Sequence, residues 1–173
     1  IEPLSAIVMA GHAGEVYWME SVQSAWTTST YYTKELPAWV TRYNQTGKNL
    51  EYLTKRWSAL LEYDRYANSH VACIEGLKSK QNRRIDQIKE DAAAINAIFS
   101  DEYMQMCYTP AGNSALLAFA KQMVANNQMG SDEVPDILNI VLDTPRKISN
   151  RFGPESVEYE DMLYRLDRDI EEF

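Results

Sequence analysis

Residues 50–99 read LEYLTKRWSALLEYDRYANSHVACIEGLKSKQNRRIDQIKEDAAAINAIF. Stepping through them alternately by three and four residues picks out Leu50, Leu53, Trp57, Leu60, Asp64, Ala67, Val71, Ile74, Lys78, Gln81, Ile85, Ile88, Ala92, Ile95 and Phe99, of which twelve of fifteen are apolar. That spacing is the a/d seam of a heptad repeat. It predicts either one helix running through Gly76, about 75 Å long at 1.5 Å per residue, or a hairpin that turns there. The heptad phase is the same on both sides of Gly76, which favours the continuous helix. Against it, a mid-helix Gly costs about 1 kcal/mol relative to Ala, and Lys78-Ser79-Lys80-Gln81-Asn82 is a soluble turn sequence.

On the N-terminal side of the seam, Ile1 to Ala10 is apolar and is punctuated by Gly11-His12-Ala13-Gly14, as expected of a packed arm or short helix. From Glu15 the chain reads as helix, with Val16, Met19, Val22 and Trp26 on one stripe. Thr27 to Thr33 brings Thr, Ser and Tyr, which favour strands or weaken a helix. Pro37 sets a boundary because it lacks a donor and disfavours helical geometry at Leu36. Ala38 to Tyr43 resumes a helical pattern.

On the C-terminal side, Ser100 followed by Asp101 and Glu102 reads as a helix start, and Thr109-Pro110-Ala111-Gly112 as its breaker. Asn113 or Ser114 then opens a helix through about Asn127, with Leu116, Phe119, Ala120, Met123 and Val124 inward. Ser131 to Pro135 begins another, whose run Ile137-Leu138-Asn139-Ile140-Val141-Leu142 predicts a short central helix. Thr144-Pro145 ends it, and a basic loop with Arg146, Lys147 and Arg151 leads to Gly153-Pro154. The last helix carries Tyr159, Leu163, Leu166, Ile170 and Phe173 on its seam and a densely acidic outer face. The expected fold is therefore all-α: an elongated helical bundle over residues 1–99, built on a long heptad-patterned helix or hairpin, with a compact lobe of shorter helices over 100–173 packing on it.

Hydrophobic residues make up 45% and charged residues 24% of the chain, which is the composition of a folded protein. A formal net charge of −8 argues against nucleic-acid binding through a general basic surface. Charge is segregated: Ser131 to the C-terminus holds twelve acidic and five basic residues, while Lys48 to Glu90 holds nine basic and six acidic. No apolar run reaches the roughly 18 residues of a membrane span. A chain beginning at Ile1 fits a processed or a trimmed polypeptide equally. Asn44-Gln45-Thr46 is a glycosylation sequon, relevant only in a eukaryotic secretory setting.

Signatures of catalysis are weak. His12 and His70 are preceded at three residues by Met9 and Ala67, so neither forms a Glu-x-x-His ligand pair, and no metal or cofactor site is expected. Gly11 and Gly14 lack the rest of a phosphate-binding loop. His70 and Cys73 stand three residues apart, the spacing of a helical thiol–imidazole pair, without an evident oxyanion hole. A Cys73–Cys107 disulfide needs Cα atoms within about 7 Å, which a hairpin at Gly76 allows and a straight helix forbids. Acidic pairs such as Glu160-Asp161 read as a solvated helix face, since paired carboxylates do chemistry only where burial or repulsion separates their pKa values.

Aromatics crowd the first 66 residues, and Trp18, Trp26, Tyr32, Trp39, Tyr43 and Trp57 are candidate interface residues because such side chains bury large area at little entropic cost. The expected function is a non-enzymatic structural or adaptor subunit of a larger assembly, a secretion or conjugation appendage or a virion. It would work through protein partners or self-association, outside the cytoplasm or in the virion. The alternative is a helical effector or enzyme with a dispersed site near His70, Cys73 and Asp64.

Overall fold

The computed structural model describes residues 2–20, 24–55, 57–67 and 106–173. The described elements, in chain order, are helix α1 (Pro3–Ala10), strands β1 (Trp18–Glu20) and β2 (Ala25–Thr27), helices α2 (Ala38–Gln45) and α3 (Lys48–Thr54), a 3-10 turn (Tyr63–Arg65), and helices α4 (Ala111–Asn126), α5 (Thr144–Phe152) and α6 (Val157–Glu171).

The helix expected from Glu15 is instead a β-hairpin. Strands β1 and β2 pair antiparallel with Trp18 opposite Thr27, Met19 opposite Trp26 and Glu20 opposite Ala25. Met19 and Trp26 face the core while their strand neighbours are half-buried, the period-2 pattern of a sheet with one buried face. Trp and Thr suit a pleated surface better than a helix. Ser24, just before β2, takes the left-handed backbone with φ of 50°. The side chain of Asn44, on α2, extends the pairing: its Oδ1 accepts from the Trp26 N–H and its Nδ2 donates to the Trp26 carbonyl, both at 2.9 Å.

The long seam breaks early. Helix α3 stops at Thr54, Lys55 is extended with φ −67° and ψ 117°, and Tyr63–Arg65 form a 3-10 turn. Two polar tertiary demands override the heptad pattern. On α3 the buried residue is Asn49, whose Oδ1 accepts from Trp26 Nε1 and whose Nδ2 donates to the Ser24 carbonyl, each at 3.1 Å. Leu53, one turn on, is buried with it, whereas Leu50 is exposed. Beyond α3, Trp57, Leu60 and Tyr66 are drawn onto a carboxylate of α6, Asp161. The seam positions from Val71 to Phe99, the question of Gly76, the Cys73–Cys107 bond and the boundary at residues 99 and 100 lie outside the described residues.

Phe119 of α4 stands at the centre of the core. Trp26 stacks on it with ring centroids 4.1 Å apart and planes 11° from parallel, while Tyr17 and Tyr43 meet it edge-on and Trp39 lies tilted against it at 5.2 Å. Each such pair contributes about 0.5–1.5 kcal/mol beyond its buried area. Helix α4 fits there because Ala111, Gly112, Ala115 and Ala120 leave room for neighbours while Leu116, Leu117 and Phe119 fill it. It packs on α3 and α6, and α6 packs on α5.

The short central helix expected over Ile137 to Leu142 does not form. That run is irregular, Ile137 is exposed, and Ile140 and Leu142 lean on the core. A six-residue run with five apolar residues, three of them β-branched, is ambiguous between the two periods. Helix α6 is capped by Ser156, whose Oγ accepts from the Tyr159 N–H at 3.1 Å. Its inward face is not the expected seam, however: Val157, Asp161 and Met162 are buried, while Leu163 and Ile170 are exposed.

Candidate anion-binding site

A cationic recess lies on α5, in the segment expected to be a basic loop. Pro145, a stop signal by sequence pattern, sits in the first turn of this helix, where its missing N–H and fixed φ do no harm. Gly153 ends the helix with φ of 96°. Once residues 144–152 are helical, Arg146 and Asn150 stand one turn apart, as do Lys147 and Arg151, so the four share a face. Ile148 points the other way and is fully buried.

A recess of about 320 Å³ is lined by Glu2, Tyr108, Arg146, Lys147, Asn150 and Arg151. Lys147 is 7% exposed; its Nζ lies 2.5 Å from Glu2 Oε1 and 5.6 Å from the centroid of the Tyr108 ring. Burial alone would lower the pKa of Lys147, but the hydrogen bond to Glu2 and the field of its neighbours carry it above the ordinary lysine value. It is an ammonium at any physiological pH. Arg146 reaches Glu2 Oε2 at 3.3 Å and Asp143 Oδ1 at 3.9 Å, and the Arg151 guanidinium lies over the Phe152 ring at 5.6 Å. Helix α1 is pinned here as well: Ser5 Oγ and the Glu2 N–H donate to Asp143 at 2.9 and 3.4 Å.

Three cations, of which Lys147 is buried, thus lie beside two carboxylates, with a phenol and a primary amide next to them. Guanidinium groups match the oxygens of phosphate or carboxylate with paired donors, and a buried ammonium adds a point charge. This arrangement suits a compact oxyanion. Among the described residues, no group of three or more His, Cys, Asp or Glu is placed to hold a metal ion.

Another recess of about 320 Å³ lies between Lys55, Trp57, the start of α4, and Arg165, Arg168, Asp169 and Glu172 of α6. Two of its five charged side chains hold the fold: Arg165 Nε lies 2.7 Å from Asp161 Oδ2 and its Nη2 2.6 Å from the Ser58 carbonyl, while Asp169 accepts from Ser114 Oγ at 2.6 Å.

Of the six candidate interface residues, the structure gathers Trp26, Trp39 and Tyr43 around Phe119 and sets Trp18 beside them on the hairpin. Trp57 is half-buried and donates to Asp161 at 2.7 Å, and Tyr32 is half-buried with its ring edge-on to the exposed Tyr31. Asp64 is exposed on the 3-10 turn and His12 is exposed after α1, while His70 and Cys73 lie outside the described residues. Sequence pattern alone marks Arg146, Lys147 and Arg151 as basic but puts them in a loop. The signal that finds them is a Pro in a helical first turn followed by polar residues spaced to share one face.

No protein-family model matches the chain. It is 31% identical over 98% of its length to the alkaline phosphatase PafA of Elizabethkingia meningoseptica, of which it spans 31%. It is 32% identical over its whole length to a protein of Myroides odoratus named a calcium-transporting ATPase, spanning 32% of it. With the alkaline phosphatase PhoV of Synechococcus elongatus it shares 29% identity, spanning 31% of that protein. The chain thus spans about a third of the length of these relatives. The crystal structure of wild-type PafA superimposes with a TM-score of 0.66 at 28% identity, covering 91% of this chain and 30% of that one. A variant of PafA with four substitutions gives the same figures.

These likenesses overturn two expectations. The fold is not an elongated all-α bundle or coiled coil: its neighbours are an α/β enzyme, and the hairpin and short helices agree with that. The expectation of a non-enzymatic structural or adaptor subunit is likewise corrected, since the relatives along the whole chain are enzymes and the alternative, an enzyme, fits better. A heptad-like spacing misled because tertiary polar contacts, absent from any periodicity, terminate α3 at Thr54.

Proposed function

We propose that this chain is a lobe of a phosphate-ester hydrolase of the alkaline phosphatase kind, and that the recess on α5 meets the phosphoryl group. One observation carries the reading: similarity to two named alkaline phosphatases runs along nearly the whole chain, with the backbone following one of them at a TM-score of 0.66. The third relative, named an ATPase, shares with them a phosphoryl substrate.

Phosphoryl transfer is largely a matter of positioning and charge neutralisation, since the transferred group spreads its charge over its non-bridging oxygens. Arg146 and Arg151 offer forked donors to those oxygens, and Lys147, whose pKa is held above the ordinary lysine value, adds a positive charge. Glu2 and the Tyr108 ring hold the Lys147 side chain in place. Phosphatases commonly use paired metal ions. Among the described residues no group of three or more His, Cys, Asp or Glu is placed to hold one, and the part that falls to α5 is recognition of the anion.

Hydrolysis of 4-nitrophenyl phosphate by the intact protein that carries this chain tests the reading. Turnover above background, with KM raised about tenfold by Arg146→Gln or Arg151→Gln at little cost in kcat, is the expected result. That factor corresponds to loss of one charge-assisted hydrogen bond worth about 1.5 kcal/mol. Absence of any phosphatase activity would remove the proposal.

A further inference from the structure

We infer that the α5 recess binds its phosphoryl oxyanion directly through Arg146, Lys147 and Arg151, with no divalent metal ion between protein and ligand; this rests on the reading just given. The donor chemistry is the reason. A hard divalent cation needs clustered carboxylates or imidazoles with lone pairs to spare. The two carboxylates at this recess are engaged. Glu2 Oε1 faces Lys147 Nζ at 2.5 Å and Oε2 faces Arg146 at 3.3 Å. Asp143 Oδ1 accepts from Ser5 at 2.9 Å and Oδ2 from the Glu2 N–H at 3.4 Å.

A metal ion seated on Glu2 would have to displace a buried ammonium and stand beside two guanidinium groups, and the net field of three cations against two carboxylates disfavours it. That same field attracts an oxyanion. The cations are also placed in a way that suits direct recognition. Lys147 is enclosed by Glu2 and the Tyr108 ring, Arg151 lies on Phe152, and the spacing of Arg146, Lys147, Asn150 and Arg151 on one helix face aims their polar ends into one recess. The ligand class is a phosphate monoester dianion or inorganic phosphate, small enough for a volume of about 320 Å³.

Calorimetric titration of the full chain with inorganic phosphate, at low ionic strength, decides the matter when run in EDTA and again with added Zn²⁺ or Mg²⁺. Equal affinity in the two buffers, with about a tenfold loss in Arg146→Gln and in Arg151→Gln, is the expected result. Both arginines are at the surface, so these variants fold even if Lys147→Met does not, and circular dichroism verifies it. Binding that appears only after metal is added overturns direct recognition while leaving the phosphatase reading intact. Binding in EDTA that neither arginine variant weakens overturns the assignment to this recess. No binding in either buffer overturns both the inference and the recess's place in the proposed function, which the hydrolysis assay addresses separately.

Discussion

The Tyr66 hydroxyl donates a 2.5 Å hydrogen bond to Asp161 Oδ1 across ninety-five residues of chain, and both side chains are buried. Tyr66 Oη in turn accepts from the Leu60 and Leu61 N–H groups at 3.0 Å, and the carboxylate also accepts from Trp57 Nε1, the Leu60 N–H and Arg165 Nε. One carboxylate on α6 therefore organises residues 57–66. Tyr66→Phe leaves the Leu61 N–H without this acceptor and the carboxylate short of a donor, so it should cost about 1–3 kcal/mol. Urea unfolding measures it, as a lower midpoint at unchanged slope. A cost under a few tenths of a kcal/mol would refute the role of the hydroxyl.

Alkaline pH should unfold this protein earlier than its acidic composition suggests. Burial, reinforced at Tyr66 by the hydrogen bond to Asp161, pushes the phenols of Tyr43 and Tyr66 up to about 12 from an ordinary value of 10. The unfolded chain then loses these protons first. Their contribution to stability is full below pH 10 and is lost as pH rises towards 12. Thermal melts between pH 9 and 12 should show a falling Tm, and Tyr66→Phe should flatten that fall.

Tyr43 and Tyr66 should answer oppositely to the same substitution. Among the described residues the Tyr43 hydroxyl is buried with no hydrogen-bond partner. Removing an unpaired buried hydroxyl deletes a desolvation cost. Tyr43→Phe should leave the urea midpoint unchanged or raise it, and a loss above 1 kcal/mol would show that the hydroxyl has a partner.

Phe119→Ala should be among the most damaging single changes, costing about 3–5 kcal/mol, because Tyr17, Trp26, Trp39 and Tyr43 all lose their common contact. Tyr31→Ala serves as the control: that ring is 75% exposed, and the change should stay within about 0.5 kcal/mol. Tryptophan fluorescence should shift to the red in the Phe119 variant as Trp26 and Trp39 gain solvent.

Glu2→Gln should lower the pKa of Lys147, since burial then acts on the ammonium without the charged partner that offsets it. Nitrogen-15 NMR of the lysine Nζ groups would follow it. The sign for stability is set by the raised value: the Lys147–Glu2 pair stabilises below the unfolded lysine pKa of about 10.5 and ceases to as pH climbs past the folded one.

Local pattern in the chain is enough for two of the helices. The stripe of Leu116, Phe119 and Ala120 after the break at Pro110 is read directly as α4, and Pro37 before Trp39, Val40 and Tyr43 as α2, because a 3.6-residue period and a missing donor act within one turn. The rest depends on contacts between distant residues. Trp18–Thr27 form a hairpin because a second strand and the Asn44 side chain are there to pair with. Asp161, a solvated acid by sequence pattern, is buried because Trp57, Tyr66 and Arg165 satisfy it from distant positions. Arg146, Lys147 and Arg151 become a site only when residues 144–152 coil and Glu2 and Tyr108 close around them. Hydrogen bonds and ion pairs between residues a hundred positions apart leave no trace in periodicity, and here they outweigh it.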